Sequence, residues 1–424
     1  MPKFNPFKPG SIVHPGMFAG RLPEIKEIEK ALHQTSQGNP GHFLIHGERG
    51  IGKSSLLMVV EAMAKGFQIT GGSYPLNFLV VSIELEPDDS YVELINKVAR
   101  ELQRALDRDD KLKAQLKSAW DFITKWKVLG VEYKRDAMPA DAMLEELAEK
   151  LIRVSEGMDP RWSGIYIFID EADKPTPEAG VGEFVKVLTE RFTKRNVGNI
   201  GFGIIGISTV IQKMKASHES SVRILTPFHL KPLEEGDREG VVKLGLKTAA
   251  EKNKKDTTIT TEALDLISKH SEGYPYFIQQ YAYSAFDHDS DDNIDAKDVV
   301  DALIKENGAL QLLGQRYFEN MYTDDIRSDD YRKVLQVIAK RMPESSTKKQ
   351  VLQESGLKPY TLNNALNALK RKGSVVPVSG KDGVYRLPSQ SFAAWIAAFK
   401  IQTERVAIDK AAPTAKQSAT VATS

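Results

Sequence analysis

Gly47-Glu48-Arg49-Gly50-Ile51-Gly52-Lys53-Ser54 lies between an apolar run, HFLIHG at 42–47, and a helical pattern, SSLLMVVEAMAKG at 54–66. Strand, glycine-rich loop and helix are the context that the pattern G-x-x-x-x-G-K-[ST] requires. The glycines permit a tight loop whose backbone N–H groups point inward at phosphate oxygens, and a helix starting near Lys53 adds its positive end. Lys53 supplies a point charge for β- and γ-phosphates, and the Ser54 hydroxyl a ligand for Mg²⁺. Ser55, next along the helix, is counted with the cofactor-binding residues.

A second motif lies downstream at Ile165-Tyr166-Ile167-Phe168-Ile169-Asp170-Glu171. The apolar residues predict a buried strand, and the carboxylates emerge at its C-terminal end, where α/β sheets bind ligands. Asp170 suits the holding of Mg²⁺ through water, and Glu171 the polarising of an attacking water. Together the two motifs predict hydrolysis of a nucleoside triphosphate.

Working outward, HFLIHG (42–47), NFLVVSIEL (77–85), GIYIFID (164–170), NIGFGIIGIS (199–208) and PFHL (227–230) read as strands. Their continuous rather than alternating hydrophobicity predicts a parallel five-stranded α/β sheet covered on both faces. Between the second and third strands lies a long helical insertion, 88–160. Ser90 and Glu93 form a capping-box pattern, with Val92, Ile95, Val98, Leu102 and Leu106 on one face. Leu112, Leu116, Ile123 and Trp126 predict a second helix ended by Gly130, and Leu144, Leu147 and Leu151 a third. The insertion is long for a minimal core and is the expected place for a protein partner.

After Pro232 the pattern becomes helical, at 234–253, 260–271, 275–286 and 296–308, which predicts a small all-α unit. From about 329 the order changes to three helices followed by SVVPVSGKDGVYRLP, two short strands around a glycine-containing turn. That is the winged-helix order. The predicted domains are 1–232, a phosphate-loop core; 233–328, a helical lid; 329–407, a winged helix; and 408–424, a disordered Ala/Thr/Ser/Lys tail.

The 424 residues carry 58 basic and 57 acidic side chains, a net +1, so no whole-chain basic field announces nucleic acid. Between 329 and 390, however, 12 Lys and Arg face five Asp and Glu, a local +7. Leu362, Leu366 and Leu369 on the third helix should face the core. Thr361, Asn363, Asn364, Asn367, Lys370 and Arg371 then point outward, with Lys372 following and Lys381 at the wing tip, a set suited to duplex DNA. Cysteine is absent, which excludes disulfide scaffolds, thiol nucleophiles and cysteine-ligated metals. No signal peptide or membrane-length apolar run is present, so a soluble cytoplasmic protein is expected. Asp287 to Asp298 imitates a calcium loop but has Asp292 where glycine is needed and Asp298 in place of a bidentate Glu, so an acidic loop before a helix capped near Asp295 is expected. His42 and His46 are four apart on a strand, where they do not share a face as helix neighbours would, and no metal site is expected.

With these motifs, the chain over about residues 11–400 resembles the AAA+/STAND branch of P-loop ATPases, in its archaeal-type and origin-recognition-like group. Met17-Phe18-Ala19-Gly20-Arg21 looks like the F-x-G-R start of that family, and the resemblance puts Val13 and Phe18 in an adenine pocket. It implies ATP and Mg²⁺ as cofactors, Ser208 or Thr209 as the sensor-1 residue, and Arg223 as a finger for the neighbouring subunit of an ATP-dependent homo-oligomer. A capping role for Ser208 or Thr209, and an ordinary surface role for Arg223, are the alternatives. Glu272-Gly273-Tyr274-Pro275-Tyr276 looks like the G-x-P element, in which the Pro275-led helix packs by the nucleotide. It stands where initiators carry a sensor-2 arginine, and this departure implies a switch with slow turnover. Two functions follow: an ATPase switch with a DNA-binding winged helix, or a signalling ATPase whose winged helix clamps the core and binds proteins rather than DNA.

Overall fold

The computed structural model describes residues 3–10, 18–68, 75–116, 139–319, 322, 326, 328–378 and 380–398. They form two compact units, Gly10–Leu233 and Glu234–Ser424 with Met1–Pro9. Val13, the insertion residues 117–138 (with Ile123, Trp126 and Gly130) and the tail 408–424 lie outside the described residues. No helix of the described residues is long and apolar enough to cross a membrane.

The first unit is built on β1 (His42–Gly47), β2 (Phe78–Glu84), β3 (Gly164–Asp170), β4 (Ile200–Gly206) and β5 (Leu225–Leu230). All pairings are parallel, in the order β2-β3-β4-β1-β5. This is the α/β P-loop sheet that the continuous apolar runs predicted. Around it lie α1 (Leu22–Ser36), α2 (Lys53–Ala64), α3 (Tyr91–Asp107), α4 (Asp110–Gln115), α5 (Ala140–Glu156), α6 (Val181–Lys194) and α7 (Val210–Ser217). One sheet face buries Leu44, Ile165, Ile167 and Ile204 against α3, α5 and α6. On the other, Tyr166 stacks with Phe43 at 5.7 Å and with Phe168 at 5.0 Å. The order matters for function: β4 lies between the strand that feeds the phosphate loop and the strand that ends in Asp170.

The insertion is helical where it is described, with one correction. Val92 is 39% exposed, whereas Leu94 is fully buried beside Ile95 and Val98. The apolar stripe is therefore centred one step along from the predicted set. Ser90 does cap α3, its hydroxyl accepting the Glu93 N–H at 3.3 Å.

The second unit carries α8 (Glu235–Asn253), α9 (Thr261–His270), α10 (Pro275–His288), α11 (Ala296–Ile304) and α12 (Ala309–Leu313). The all-α expectation needs correction, because β6 (Thr258–Ile259) and β7 (Asn293–Ile294) pair in parallel. Two residues are too few to leave a period in the sequence. Residues 3–9, expected with the core, pack here instead: Phe7 is buried against Phe286 and over Gly245. The acidic loop before α11 is held by the Lys3 amine, 2.9 Å from Asp289 and 2.7 Å from Asp292, and Asp295 caps α11 in a box with Asp298.

Beyond it come α13 (Asp329–Arg341), β8 (Ser346–Thr347), α14 (Lys348–Ser355), α15 (Pro359–Arg371), β9 (Val376–Pro377), β10 (Val384–Arg386) and α16 (390–398). The expected hairpin is present as β9 and β10, and β8 adds a third antiparallel strand in the order β8-β10-β9. Leu362, Ala365, Leu366 and Leu369 seal α15 against its neighbours.

Candidate functional site

The phosphate loop is shaped by its backbone. Gly50 and Gly52 take φ values of 78° and 95°, which disfavour side chains. A Cβ on Gly47 would come within 2.8 Å of the Leu230 carbonyl, so the loop opens flush against β5. Gly52 occupies the N-cap of α2 and offers no side-chain oxygen to its first-turn N–H groups. The Lys53 amine folds over the loop entrance and donates to the carbonyls of Glu48 (3.0 Å) and Gly47 (3.3 Å). An arriving phosphate would compete for that amine. Burial pulls its pKa down, opposed by the charges of Glu171, Asp173 and Asp170 in decreasing order. Glu48 and Arg49 are exposed, Gly50, Ser54 and Ser55 half-buried, and Ile51 buried.

The two motifs meet. Ser54 lies 116 residues from Asp170 in sequence, yet its hydroxyl donates to the Asp170 carboxylate at 3.3 Å. Burial pushes Asp170 up to about 6; hydrogen bonds from the Glu171 N–H (2.7 Å) and Ser54 oppose the rise, and the Glu171 charge adds to it. Glu171 takes a left-handed φ of 53°, a strained turn for a glutamate. The Asp170 carboxylate accepts the Ser54 hydroxyl, and the charges of both carboxylates act on Lys53. Asp173, two residues on, accepts the Ile207 N–H at 2.8 Å and so ties this turn to the exit of β4.

Ser208 and Thr209 separate in role. The Ser208 hydroxyl lies 3.3 Å from His46 Nδ1, and the His46 ring stacks on His229 at 4.8 Å. Burial, then the His229 charge, lowers the His46 pKa. Thr209 occupies the N-cap of α7 without making a side-chain cap bond, so neither hydroxyl does the capping expected as the alternative. His46 and His42 do share a face of β1, since four residues are two full strand periods, but they stand about 13 Å apart. His42 instead accepts the Phe202 N–H. Arg223 is exposed on a 3₁₀ turn, Ser221–Ile224, before β5. Phe18 is half-buried, and Pro275 opens α10 in the second unit.

On α15 the outward set is as predicted. Asn363, Asn364, Asn367, Lys370 and Arg371 are exposed and Thr361 half-buried; Lys372 and Lys381 are exposed too. An open groove of about 750 Å³ is lined by Asn364, Asn367, Lys370 and Arg371 together with Tyr331 of α13. Tyr360, 77% exposed, opens the same helix. Tyr331, Tyr360, His229 and Asp173 are not singled out by the sequence, which considers His46 only as a metal ligand. Asp173 alone left a signal there, as an acid three residues past Asp170; the others gain meaning only from what folding brings beside them.

Residues 17–189 match a family model described as an AAA ATPase domain. Among solved structures, the Walker-type ATPase of Pyrococcus abyssi is similar at TM-score 0.55 and 15% identity, covering 90% of this chain and 96% of its own. The ORC2 protein of Aeropyrum pernix is similar at TM-score 0.53 and 15% identity, covering 95% and 99%. At such identity the likeness is one of fold. No curated protein matches.

Proposed function

We propose that this chain is an ATP- and Mg²⁺-dependent switch of the AAA+/STAND kind, with slow turnover and a winged helix, 329–390, that engages duplex DNA. The observation that carries the nucleotide reading is the Ser54–Asp170 contact, which joins the two motifs across 116 residues beside the Lys53 amine. The AAA ATPase match over 17–189 supports it. So does the fold shared with ORC2, a protein whose structure is described as ADPNP–ADP complexes.

The residues fit a hard divalent cation: a half-buried carboxylate raised to about 6 by desolvation stands beside a hydroxyl, an all-oxygen donor pair. Ser54 and Asp170 would hold Mg²⁺, which when bound would neutralise phosphate charge. Lys53 and the amides of residues 47–55 bind the β- and γ-phosphates. Glu171 accepts the proton of the attacking water. Ser208, steadied by His46, senses the γ-phosphate, with Thr209 as the alternate. Val13 and Phe18 contact the base, Pro275 leads the lid helix, and Arg223 reaches a neighbouring subunit of an ATP-dependent homo-oligomer. A cytoplasmic location goes with this reading. The local +7 and the Tyr331–Arg371 groove support the DNA contact.

The second reading is an intramolecular clamp, for which the support is a pair of contacts inside the second unit. Glu272, in the G-x-P turn, accepts the Gln390 N–H at 2.6 Å, and Ser391 donates to the His270 carbonyl at 3.0 Å. The helix after the wing is thus bonded to the turn that leads α10. Titrating labelled duplex DNA over a range of salt, with and without ATP, separates the two. Salt-dependent binding supports the DNA reading. Its absence in every nucleotide state, with ATPase intact, selects the clamp. An Arg223→Ala chain that hydrolyses as fast as wild type removes the finger.

A further inference from the structure

Arg21 is a buried guanidinium, 7% exposed, whose acceptors come from three separate segments. Its Nη2 donates to the carbonyl of Ile51, at 3.3 Å, and to that of Lys231; its Nη1 lies 3.4 Å from the Glu24 carboxylate. Ile51 belongs to the phosphate loop, one residue before Gly52. Lys231 directly follows β5, three residues before Glu234, where the second unit begins. The backbone of Arg21 takes φ 64° and occupies the N-cap position of α1. A left-handed arginine carries strain that the surrounding contacts must hold in place.

The peptide plane gives the arrangement a consequence. In a trans peptide the C=O and the following N–H point in opposite directions. Fixing the Ile51 carbonyl on Arg21 therefore aims the Gly52 N–H away from the guanidinium. Arginine suits this task because its planar fork serves acceptors from two separate segments at once, where lysine offers a point charge.

We propose that Arg21 is a positioning residue. It sets the Ile51–Gly52 peptide so that the Gly52 amide meets phosphate, and the same fork links the state of the loop to the chain leaving β5 for the second unit. The inference rests on the nucleotide reading above but assigns Arg21 a role in neither the chemistry nor the base pocket.

The test uses the full chain and a fluorescent adenosine diphosphate with Mg²⁺. Arg21→Lys should bind it about tenfold more weakly or worse, since a charge-assisted contact to the loop is lost. In the wild type, ATP should slow cleavage by a Glu-specific protease at Glu234. In Arg21→Lys, saturating ATP should leave that cleavage unchanged, an effect that mere destabilisation of the fold does not produce. Unchanged affinity, or retained ATP protection at Glu234, overturns the proposal. Should the variant not fold, hydrogen exchange on the wild type decides: residues 50–54 and 229–234 should gain protection together when nucleotide binds. Protection of the loop alone overturns the linkage. A wild type that binds no nucleotide sinks the nucleotide reading itself, a distinct outcome.

Discussion

The phosphate loop and the outward face of α15 are both built to meet phosphate, by opposite means. At the loop, charges are few, half-buried or buried, and mutually opposed: Lys53 against Glu171, Asp173 and Asp170. On α15 they are many, exposed and of one sign. Desolvated groups act strongly on a ligand in fixed geometry but cost stability while the site lacks one. Exposed basic groups cost little and act through counterion release, so their affinity follows salt rather than shape. The first region is suited to one ligand, the second to a polymer.

The comparison breaks most readily at the loop. Lys53→Ala should lose nucleotide binding altogether, measured by titration with fluorescent nucleotide. Glu171→Gln should keep that binding and slow turnover by about 10²-fold or more, because only the base is removed. Equal ATPase rates for Glu171→Gln and wild type would defeat the assignment of the base. On α15, replacing Lys370, Arg371 and Lys372 with Ala should flatten the slope of log K against log salt by roughly two to three units, at about 0.9 per phosphate contact. ATPase activity should stay near wild type. Changing Asn363 and Asn367 should shift sequence preference with little effect on the slope.

The two regions also differ in how far sequence alone discloses them. The sheet is legible because strands covered on both faces leave unbroken apolar runs, and Lys53, Ser54, Asp170 and Glu171 sit at fixed places on those strands. The outward face of α15 is legible because Leu362, Leu366 and Leu369 fix its phase. What stays hidden depends on approach in space. Arg21 meets carbonyls 30 and 210 residues away, and the Ser208–His46–His229 group spans three strand ends. Tyr331 enters the α15 groove from another helix. Val92 misled because it sits at the edge of its stripe, where one helical step decides exposure.

Asp170 sharpens the contrast through stability. Its folded pKa of about 6 stands above the ordinary 3.8, so the folded state disfavours the charged form. Well below pH 3.8 both states hold the proton and no cost exists. The cost grows as pH rises, because the unfolded chain ionises first, and is complete above about 6. Asp170→Asn keeps an acceptor for the Glu171 N–H and removes the charge. It should raise the stability of the nucleotide-free protein at neutral pH by about 1–3 kcal/mol, measured by denaturant unfolding, while Mg²⁺-dependent hydrolysis is lost. No comparable gain should follow Arg371→Ala on the exposed face. A destabilised Asp170→Asn chain would mean that the half-buried carboxylate is held by contacts stronger than its desolvation. In the wild type, Mg²⁺-nucleotide affinity should fall as pH drops through 6, where Asp170 takes up its proton.

The smallest effect divides two neighbouring hydroxyls within the nucleotide site. Ser208 is held by His46, whereas Thr209 makes no cap bond at α7. A hydroxyl already fixed in direction presents its dipole without paying for reorganisation when charge develops on the γ-phosphate. Ser208→Ala should therefore lower turnover by about tenfold, a modest loss for one preorganised donor, with nucleotide affinity nearly unchanged. Thr209→Ala should change neither turnover nor stability by more than about 0.5 kcal/mol, as expected for an exposed residue outside any network. His46→Phe, which keeps a ring against His229 but removes the partner of Ser208, should reproduce part of the Ser208→Ala loss. Steady-state ATPase assays on the three variants decide it. If Thr209→Ala is the damaging change and Ser208→Ala is silent, the sensor is Thr209, and the His46 contact is packing at a strand end.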